Sequence, residues 1–485
     1  MSTGSGTTPG NSSTTPTSNA TVRVDFANRS GAQPQIPPGL LSVNRGHFDN
    51  NEATAQQIIS QNGVGMVRLD AALWSIYATL TPNWTDLDTA LEDIRNANLN
   101  ALVTIDYTPV WLRPKVNLCP DRASGAYGAF PVDPQAWGRI AASVVHHIDS
   151  KFPGLVYGYE IWNEPDSPDF NCNLLNSSIQ ARMTAYYGLY AAAAPLLRAQ
   201  ATADGTVIRI GGPVLSTPPH VLQFLPQFVS NPDLAPYIDF VAYHHYISGT
   251  SWDGPGNNLL LATTDATQGV GATYAAVAAI VRHGLQPNAQ QTPILISEYN
   301  TTADCCRISP TYSPLFNSVF LATLLNAAYT VQSVPSHINY YGANNSSEYC
   351  LLASSQDGCF YSGGALQVLP PLHTFNLLAG QDYLDMSSGG FLAAAAASNS
   401  SSLVTVGFYT EKSDSVAVIN TGPSAIAVSI TITNPGLSAA SATLFLLNAQ
   451  DPMIAAQALQ LTPTSAGYTA SFIAPGYSVL GISIR

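Results

Sequence analysis

The chain has 485 residues, of which 46% are hydrophobic and only 10% are charged, and its net charge is −13. This length predicts two domains, since one hydrophobic core rarely serves more than about 250–300 residues. The 17 basic and 30 acidic residues give no basic footprint for nucleic acid, and no apolar run approaches the roughly 18 residues of a membrane span. We therefore expect neither a nucleic-acid partner nor a membrane partner.

The N-terminal residues and the cysteines bear on the compartment. Residues 1–19 are rich in Ser, Thr, Gly and Pro and lack the basic start and apolar core of a signal peptide, so we interpret them as a flexible linker. The six cysteines form no C-x-x-C pair, so we expect no zinc or other metal site. Their even number is typical of disulfides in an oxidising compartment, which predicts a secreted or periplasmic protein.

Eight short apolar strands alternate with helical stretches between residues 39 and 380. The predicted strands are Leu40–Phe48, Gly65–Asp70, Ala101–Pro109, Val156–Glu164, Val207–Pro213, Asp239–Tyr246, Pro293–Asn300 and His337–Ala343. This alternation predicts an α/β fold, a (β/α)8 TIM barrel, with a doubly wound open sheet as the alternative. The alternative is weaker because no G-x-G-x-x-G motif follows the first strand.

The pattern changes after residue 380, where strands follow one another without helices. The predicted strands are Leu403–Tyr409, Ser415–Thr421, Ala427–Asn434, Ala442–Asn448, Tyr468–Ala474 and Ser478–Arg485. This spacing predicts an antiparallel β-sandwich domain over residues 381–485. The lead-in segment 20–38 contains one strand, Ala20–Phe26, which we expect to join that sandwich.

Two glutamates stand at predicted strand ends of the barrel. Glu164 ends the fourth strand in YGYEIWNEPD (Tyr157–Asp166), and Glu298 ends the seventh in ILISEYN. Barrel chemistry is located at the carboxyl ends of the strands, and strands four and seven face each other across the mouth. Two facing carboxylates are what cleavage of a glycosidic bond requires, although a single glutamate at a strand end is more often a solvated tip or an ion-pair partner.

The strand ends W-N-E-P and S-E-Y-N resemble those of the clan A glycoside hydrolases. More narrowly, the chain resembles glycoside hydrolase family 39, the group that contains β-xylosidases and α-iduronidases. The matching segments are Tyr107–Trp111, Glu160–Asp166, Ile208–Pro213, Asp239–Tyr246 and Ile294–Asn300. The likeness spans most of the barrel, and the family also carries a β-sandwich. The resemblance implies an O-glycosidase with a carbohydrate substrate, and we expect it to need no cofactor.

The resemblance also implies roles for the matching residues. Glu164 would be the general acid/base and Glu298 the nucleophile of a double displacement that retains the anomeric configuration. Asn163 would hold the sugar 2-hydroxyl, a contact that tightens in the transition state. His244 and Tyr246 match the sixth-strand H-x-Y pair of the family, and Tyr246 would hydrogen-bond the nucleophile; a satisfied core pair is the alternative. We expect Glu164 to titrate high and Glu298 low.

Other side chains near strand ends are candidates for supporting this pair. Arg68 can lie beside Glu298 and keep it ionised, or it can pair with Asp70 or Glu160 instead. His47 is a candidate contact to substrate or a structural histidine. Sugar faces pack on aromatic rings, and the candidate platforms are Trp74, Trp111, Tyr340 and Tyr341. Strand eight, where many clan relatives place a Trp, reads HINYYGA here, which leaves the sugar identity open.

All six cysteines fall in loops after strands three, four, seven and eight. Proximity favours the pairs Cys119–Cys172 and Cys350–Cys359. The adjacent Cys305 and Cys306 then form either a vicinal disulfide or two free or separately paired thiols.

These patterns predict a secreted, retaining glycosidase that acts from chain ends on plant-derived glycans or glycosides, with β-xylosidase as the leading activity. An α-L-arabinofuranosidase, a β-glucosidase or an endo-acting glycanase is the alternative within the class. A non-catalytic carbohydrate-binding protein is the alternative from another class, and the presence of both glutamates argues against it. The oligomeric state is open.

Overall fold

The computed structural model describes residues 16, 18–27, 33–45, 52–115, 128–247, 258–285, 292–301, 313–342, 351–354, 366–437, 441–448 and 453–485. The strands in chain order are β1 (Ser18–Asp25), β2 (Gln35–Ile36), β3 (Leu41–Asn44), β4 (Met66–Ala72), β5 (Asn100–Asp106), β6 (Val156–Ile161), β7 (Ile210–Leu215), β8 (Phe240–Tyr246), β9 (Ile294–Asn300), β10 (His337–Tyr340), β11 (Leu352–Ser354), β12 (Leu366–Val368), β13 (Gly390–Ser398), β14 (Leu403–Tyr409), β15 (Asp414–Asn420), β16 (Ile426–Thr433), β17 (Ala442–Asn448), β18 (Ala455–Ala458), β19 (Thr462–Thr464), β20 (Gly467–Ala474) and β21 (Ser478–Ile484). The α-helices are α1 (Glu52–Gln61), α2 (Leu73–Ile76), α3 (Thr85–Asn96), α4 (Pro134–Lys151), α5 (Ile179–Ala203), α6 (Pro218–Ser230), α7 (Asn258–Thr264), α8 (Val270–Gly284), α9 (Ser313–Val331) and α10 (Pro370–Ala379).

Eight parallel strands close into a barrel in the order β3-β4-β5-β6-β7-β8-β9-β10, and β10 pairs back to β3. The predicted (β/α)8 fold is therefore confirmed, and the open doubly wound sheet is excluded. Strands such as β8 and β9 are buried along their whole length, because helices cover the outer face and side chains fill the interior. Parallel pairing brings the carboxyl ends of all eight strands to one mouth, which is where the candidate site lies.

Helix α4 covers part of the outer face of the barrel, and its sequence determines where it begins and which face it buries. The side chain of Asp133 accepts a hydrogen bond of 2.9 Å from the backbone N–H of Ala136, and Pro134 occupies the first turn. These two residues fix where the helix begins. The buried stripe that follows has helical spacing and packs into the main hydrophobic core; it consists of Trp137, Ala141, Val144, Val145 and Ile148.

The second domain is a curled, mostly antiparallel sheet of eleven strands. Its hydrogen-bonded order is β18-β17-β21-β15-β14-β13-β1-β16-β20-β19, with β2 beside β13. The six strands predicted between residues 403 and 485 correspond to β14 to β17, β20 and β21. The sequence pattern did not reveal β13, because its five successive alanines (393–397) have neither alternating polarity nor high β propensity.

Strand β1 lies inside this sheet although it precedes the barrel in sequence. It pairs antiparallel with β13, where Thr21 lies opposite Ser398. On its other side it pairs parallel with β16, where Ser18 lies opposite Ile426. Among the described strands of this sheet, β1 and β16 make the one parallel pairing. The second domain is thus built from chain segments that lie both before and after the barrel in the sequence.

Helix α9 joins the two domains. The Nδ2 atom of Asn326 donates a 2.6 Å hydrogen bond to the carbonyl of Thr405 on β14. By length and composition, the segment Pro314–Val331 of this helix could cross a membrane, and it is the one such segment within the described ranges. In the folded chain 67% of that segment is buried. Its apolar character is accounted for by packing between the barrel and the sheet.

Candidate active site

The end of β6 departs from regular strand geometry. The strand ends at Ile161, three residues before the predicted end, because Trp162 (φ 72°) and Glu164 (φ 45°) take left-handed backbone conformations. Such conformations are costly for residues other than glycine and persist where the surroundings enforce them. The fully buried ring of Trp162 and a hydrogen bond of 3.1 Å from the Glu164 N–H to the carbonyl of Val214 supply that constraint.

Asp166 holds the turn that follows Glu164. It is fully buried and accepts hydrogen bonds from the Ser216 hydroxyl (2.5 Å) and the Ser216 backbone N–H (3.0 Å). Its Oδ2 atom also lies 2.6 Å from Nδ1 of His220. These contacts join the turn to the end of β7 and the start of α6, and they hold the backbone that carries Glu164 in place.

Glu298 lies on β9 and is surrounded by donors to both carboxylate oxygens. Its Oε1 atom accepts hydrogen bonds from Arg68 Nη1 (2.7 Å) and Asn44 Nδ2 (3.2 Å). Its Oε2 atom accepts one from the hydroxyl of Tyr246 at 2.5 Å. Donors of this kind stabilise a carboxylate anion and orient it.

The guanidinium of Arg68 connects three other groups below the mouth. Besides Glu298, it contacts Glu160 through Nε (2.7 Å) and Asn163 Oδ1 through Nη2 (2.9 Å). Glu160 also accepts a hydrogen bond of 2.8 Å from the Thr104 hydroxyl. Arg68 therefore pairs with Glu298 and Glu160 together, and the sequence had presented these two partners as alternatives.

His244 lies between the two glutamates. Its Nδ1 atom is 2.7 Å from Oε1 of Glu164 and 3.3 Å from Oε2 of Glu298. Burial lowers the pKa of His244, so the ring is neutral at neutral pH. Ligand-type atoms of all three side chains lie within 4.8 Å of one another, and this is the one such cluster in the described parts of the chain that could hold a metal ion.

Burial dominates the titration of both glutamates. It raises the pKa of Glu164 to about 8; the negative charge of Asp166 adds to this increase, and Arg68 opposes it. Burial also raises the pKa of Glu298 above its ordinary value, although His244 and Arg68 act to lower it. The expectation that Glu298 titrates low is therefore wrong, because the sequence showed its cationic partner but not its burial.

A cavity of about 560 Å³ opens at this mouth. Its described lining residues are Asn44, Arg45, Arg68, Leu69, Asp70, Ala72, Trp74, Ser75, Ile76, Asp86, Leu87, Asp106, Tyr107, Asn163, Glu164, Phe170, Tyr246, Glu298 and Tyr341. Pockets of this size accommodate small organic ligands. Both glutamates thus face a cavity large enough for a small ligand.

Comparison with known proteins identifies the family. The sequence matches the family model for glycosyl hydrolases family 39 over residues 69–414. The chain belongs to this family. No curated protein matches the sequence. The family membership makes this chain a glycosidase, with a carbohydrate as its substrate.

Several solved structures have the same fold as this family 39 hydrolase. One is a monomeric β-xylosidase from Caulobacter crescentus CB15, with a TM-score of 0.65, 14% identity and coverage of 96% of this chain and 99% of that one. A family 39 enzyme from Xanthomonas axonopodis pv. citri gives a TM-score of 0.63 at 14% identity, with 97% and 98% covered. A family 30 subfamily 8 xylanase from Clostridium acetobutylicum gives 0.62 at 13% identity, with 96% and 99% covered. At these identities the likeness concerns the fold alone.

The predicted aromatic platforms of the family 39 enzyme separate into two groups. Trp74 and Tyr341 line the cavity, and the Tyr341 ring meets Tyr246 edge to face at 6.0 Å. Trp111 is 43% exposed and does not belong to the described lining; its Nε1 donates to the carbonyl of Tyr77 at 3.0 Å. Tyr340 is fully buried beneath the mouth. Trp111 lies in a short helical turn five residues after β5, and Tyr340 is the last residue of β10; neither belongs to the described lining.

Two predicted features rest on residues that are not described. His47 lies outside the described residues, and so do all the cysteines except Cys172. Cys172 is buried, and its thiol is not free. The pairing of Cys119 with Cys172, the other pairings and the contact from His47 stay predictions.

Several cavity residues of the family 39 enzyme were not identified as site candidates from the sequence, among them Asn44, Asp106, Tyr107 and Phe170. Asn44, Asp106 and Tyr107 lie at the ends of β3 and β5, so their strand-end position was the available signal. Phe170 lies in a short helical turn after β6 and stacks on Tyr107 with ring centroids 5.5 Å apart. No sequence pattern indicates that contact, because it depends on how the loop folds back.

Proposed function

We propose that this glycosidase retains anomeric configuration by double displacement, removes sugars from chain ends in the manner of a β-xylosidase, and acts outside the cell on plant-derived glycans or glycosides. One observation supports the mechanism: one carboxylate oxygen of Glu164 and one of Glu298 lie within 4.8 Å of each other at one cavity, so the two carboxyl groups are close neighbours. Retaining glycosidases place their two carboxyl groups about 5–5.5 Å apart, whereas inverting ones leave about 6.5–9.5 Å for a water molecule.

In the first step, an oxygen of Glu298 attacks the anomeric carbon while the bond to the leaving oxygen breaks. Glu164 donates its proton to that leaving oxygen, so the aglycone departs as an alcohol and an ester joins the sugar to Glu298. Since the pKa of Glu164 is about 8, it holds this proton at neutral pH. Arg68, Asn44 and Tyr246 stabilise the attacking carboxylate and fix its orientation.

In the second step, water attacks the anomeric carbon of the glycosyl ester. Glu164, now a carboxylate, accepts a proton from that water, and the ester bond breaks to regenerate the Glu298 carboxylate. The two inversions together retain the configuration. His244, neutral and within 2.7 Å of Glu164, supports the acid/base by a hydrogen bond whose direction depends on the ring tautomer.

The structures with the same fold bear on the substrate of this enzyme, and the cysteines bear on its location. Two of the structures with this fold are β-xylosidases from Caulobacter crescentus, which favours xylosides as substrates. A xylanase from Clostridium acetobutylicum has the same fold, so an endo-acting enzyme on xylan is the second candidate. Secretion is proposed because the even number of cysteines is typical of disulfides in an oxidising compartment.

A panel of aryl glycosides tests these proposals, and xylosides are expected to react fastest. Proton NMR of the first product should show retained configuration, and inverted product would refute the double displacement. Chromatography of digested xylo-oligosaccharides should show monosaccharide from the earliest times, whereas internal cleavage would give mixed oligosaccharides. A folded protein that binds sugar but hydrolyses nothing in the panel would be a carbohydrate-binding protein instead.

A further inference from the structure

Asp106 is a buried carboxyl group at the barrel mouth that has no role in the proposed double displacement. It is the last residue of β5, only 1% exposed, and it lines the same cavity as Glu164 and Glu298. Thr104, two residues earlier on the same side of the strand, reaches Glu160 inside the barrel. Because side chains alternate along a strand, Asp106 faces the interior as well.

Neither carboxylate oxygen of Asp106 has a hydrogen-bond partner among the described residues. Burying a carboxyl group in this way is costly, and unsatisfied buried groups in native proteins commonly have a functional explanation. Burial and the nearby charge of Asp70 raise the pKa of Asp106 well above its ordinary value. Glu160 differs, because its Oε2 atom accepts hydrogen bonds from both Arg68 and Thr104. The Oε1 atom of Glu160 also lacks a partner, but among the described residues Asp106 is the buried carboxyl group in which neither oxygen has one.

The charges around the cavity limit what can supply those donors. Among its described lining residues the cations are Arg45 and Arg68, and both are bonded to carboxylates. Arg45 donates to Glu52 at 2.5 and 2.8 Å, and Arg68 donates to Glu160 and Glu298. A sugar that carries a carboxylate would find no uncommitted cation there. A neutral sugar offers hydroxyl donors without adding negative charge.

We propose that Asp106 is a substrate-binding residue that accepts hydrogen bonds from ring hydroxyl groups of a neutral sugar and selects against uronic acids. The inference rests on the proposed glycosidase function and names the class of sugar for the same site. Hydroxyl donors from a bound sugar favour the ionised form of Asp106, and the carboxylate then has two acceptor oxygens that can receive two adjacent hydroxyls. Trp74 and Tyr107 line the same cavity and provide aromatic surface for the C–H face of such a sugar.

Two variants and one control test this assignment. Asp106→Asn keeps the shape of the side chain, Asp106→Ala removes both acceptors, and Asp233→Asn changes an exposed carboxylate before β8, at the opposite end of the barrel. The substrates are the aryl glycoside that the wild type hydrolyses fastest, its monodeoxy analogues and the matching aryl uronide. Thermal unfolding of each variant establishes that it is folded.

We expect Asp106→Ala to lower kcat/KM by about tenfold to a hundredfold, the range for one hydrogen bond to a charged group. The wild type should discriminate against the analogue that lacks the bonded hydroxyl, and Asp106→Ala should lose that discrimination. A merely structural role would instead slow all substrates equally. Asp233→Asn should behave as the wild type, and the uronide should not react.

Asp106→Ala should also melt at or above the wild-type temperature, because it removes an unsatisfied buried carboxyl group. Two results would overturn the inference alone: full discrimination retained by folded Asp106→Ala, or a wild type that prefers the uronide. If Asp106→Ala does not fold, the same comparison with Asp106→Asn decides. A wild type that hydrolyses no glycoside would refute the proposed function, and this inference would fail with it.

Discussion

The hydroxyl of Tyr246 lies 2.5 Å from Oε2 of Glu298 and donates its hydrogen to that oxygen. Tyr246 is the last residue of β8, and Glu298 lies on the adjacent β9. The hydrogen bond favours the ionised carboxylate and so acts against burial, which raises the Glu298 pKa. The phenol therefore helps keep the proposed nucleophile charged.

Replacing Tyr246 by Phe should raise the pKa of Glu298 further, because a donor that stabilises the anion is lost. Glu298 must be ionised to attack, so the acidic limb of the kcat/KM profile should move to higher pH. At neutral pH, kcat/KM should fall by about tenfold to a hundredfold, as expected for a hydrogen bond to a charged group. A pH–rate profile on an aryl glycoside measures both effects.

Tyr274→Phe is the matched control. It removes a phenol that is also buried and donates to the carbonyl of Ser333 at 3.1 Å, away from the cavity. This variant should lose about 1 kcal/mol of stability and keep the wild-type pH profile. An unmoved acidic limb in Tyr246→Phe would show that the phenol does not tune Glu298.

Replacing Asp166 by Asn should shift the alkaline limb of the profile to lower pH. After burial, the charge of Asp166 is the largest cause of the raised pKa of Glu164, so its removal lowers that pKa. Glu164 then loses its proton at a lower pH and ceases to act as an acid there. Asp169→Asn should shift the limb in the same direction but less, because Asp169 contributes less and is exposed. A shift to higher pH would contradict the assignment of Glu164 as the acid.

Alanine variants of the two glutamates should respond differently to azide. Glu298→Ala should lose turnover of all substrates, because no glycosyl ester can form. Glu164→Ala should mainly slow substrates with poor leaving groups, and azide should restore turnover of activated aryl glycosides with retained configuration. NMR of the glycosyl azide measures the outcome. Inverted azide product from Glu298→Ala, with no rescue of Glu164→Ala, would remove the acid/base role of Glu164.

Replacing Arg68 by Met should destabilise the barrel strongly. Glu160 is fully buried and would lose its cation, and breaking a buried ion pair costs about 3–5 kcal/mol. Arg95→Met is the control, because its pair with Glu92 is exposed and worth at most about 1 kcal/mol. Tryptophan fluorescence during urea unfolding reports the barrel, since all six tryptophans lie between Trp74 and Trp252. Equal midpoints for the two variants would refute the structural importance of the Arg68 network.

The barrel strands could be predicted because their signal is local. Each contains a short apolar run, and the predicted strand Asp239–Tyr246 differs from β8 by one residue. The pairing of Glu164 with Glu298 followed from barrel geometry, since strand ends converge at one mouth.

Properties set by the folded surroundings could not be predicted from the sequence. The pKa of Glu298 depends on how completely it is buried, and the unpartnered state of Asp106 depends on every neighbour around it. The alanine run of β13 forms a strand because β1 and β14 pair with it, which no local pattern shows. Tertiary context decides such segments over intrinsic propensity.

The position of β1 between β13 and β16 has a consequence for biosynthesis. Ser18 pairs with Ile426, so 408 residues must be added after Ser18 before this contact can form. At about 5–20 residues per second, translation takes roughly 20–80 s to reach that point. Its other partner, β13, is made first, but Gly390–Ser398 also lie far along the chain, so β1 lacks both partners for most of this time. Unpaired strands are prone to aggregate. The eight barrel strands, β3 to β10, are all made before β13 and β16, so the barrel strands are available to pair before β1 can complete the second sheet.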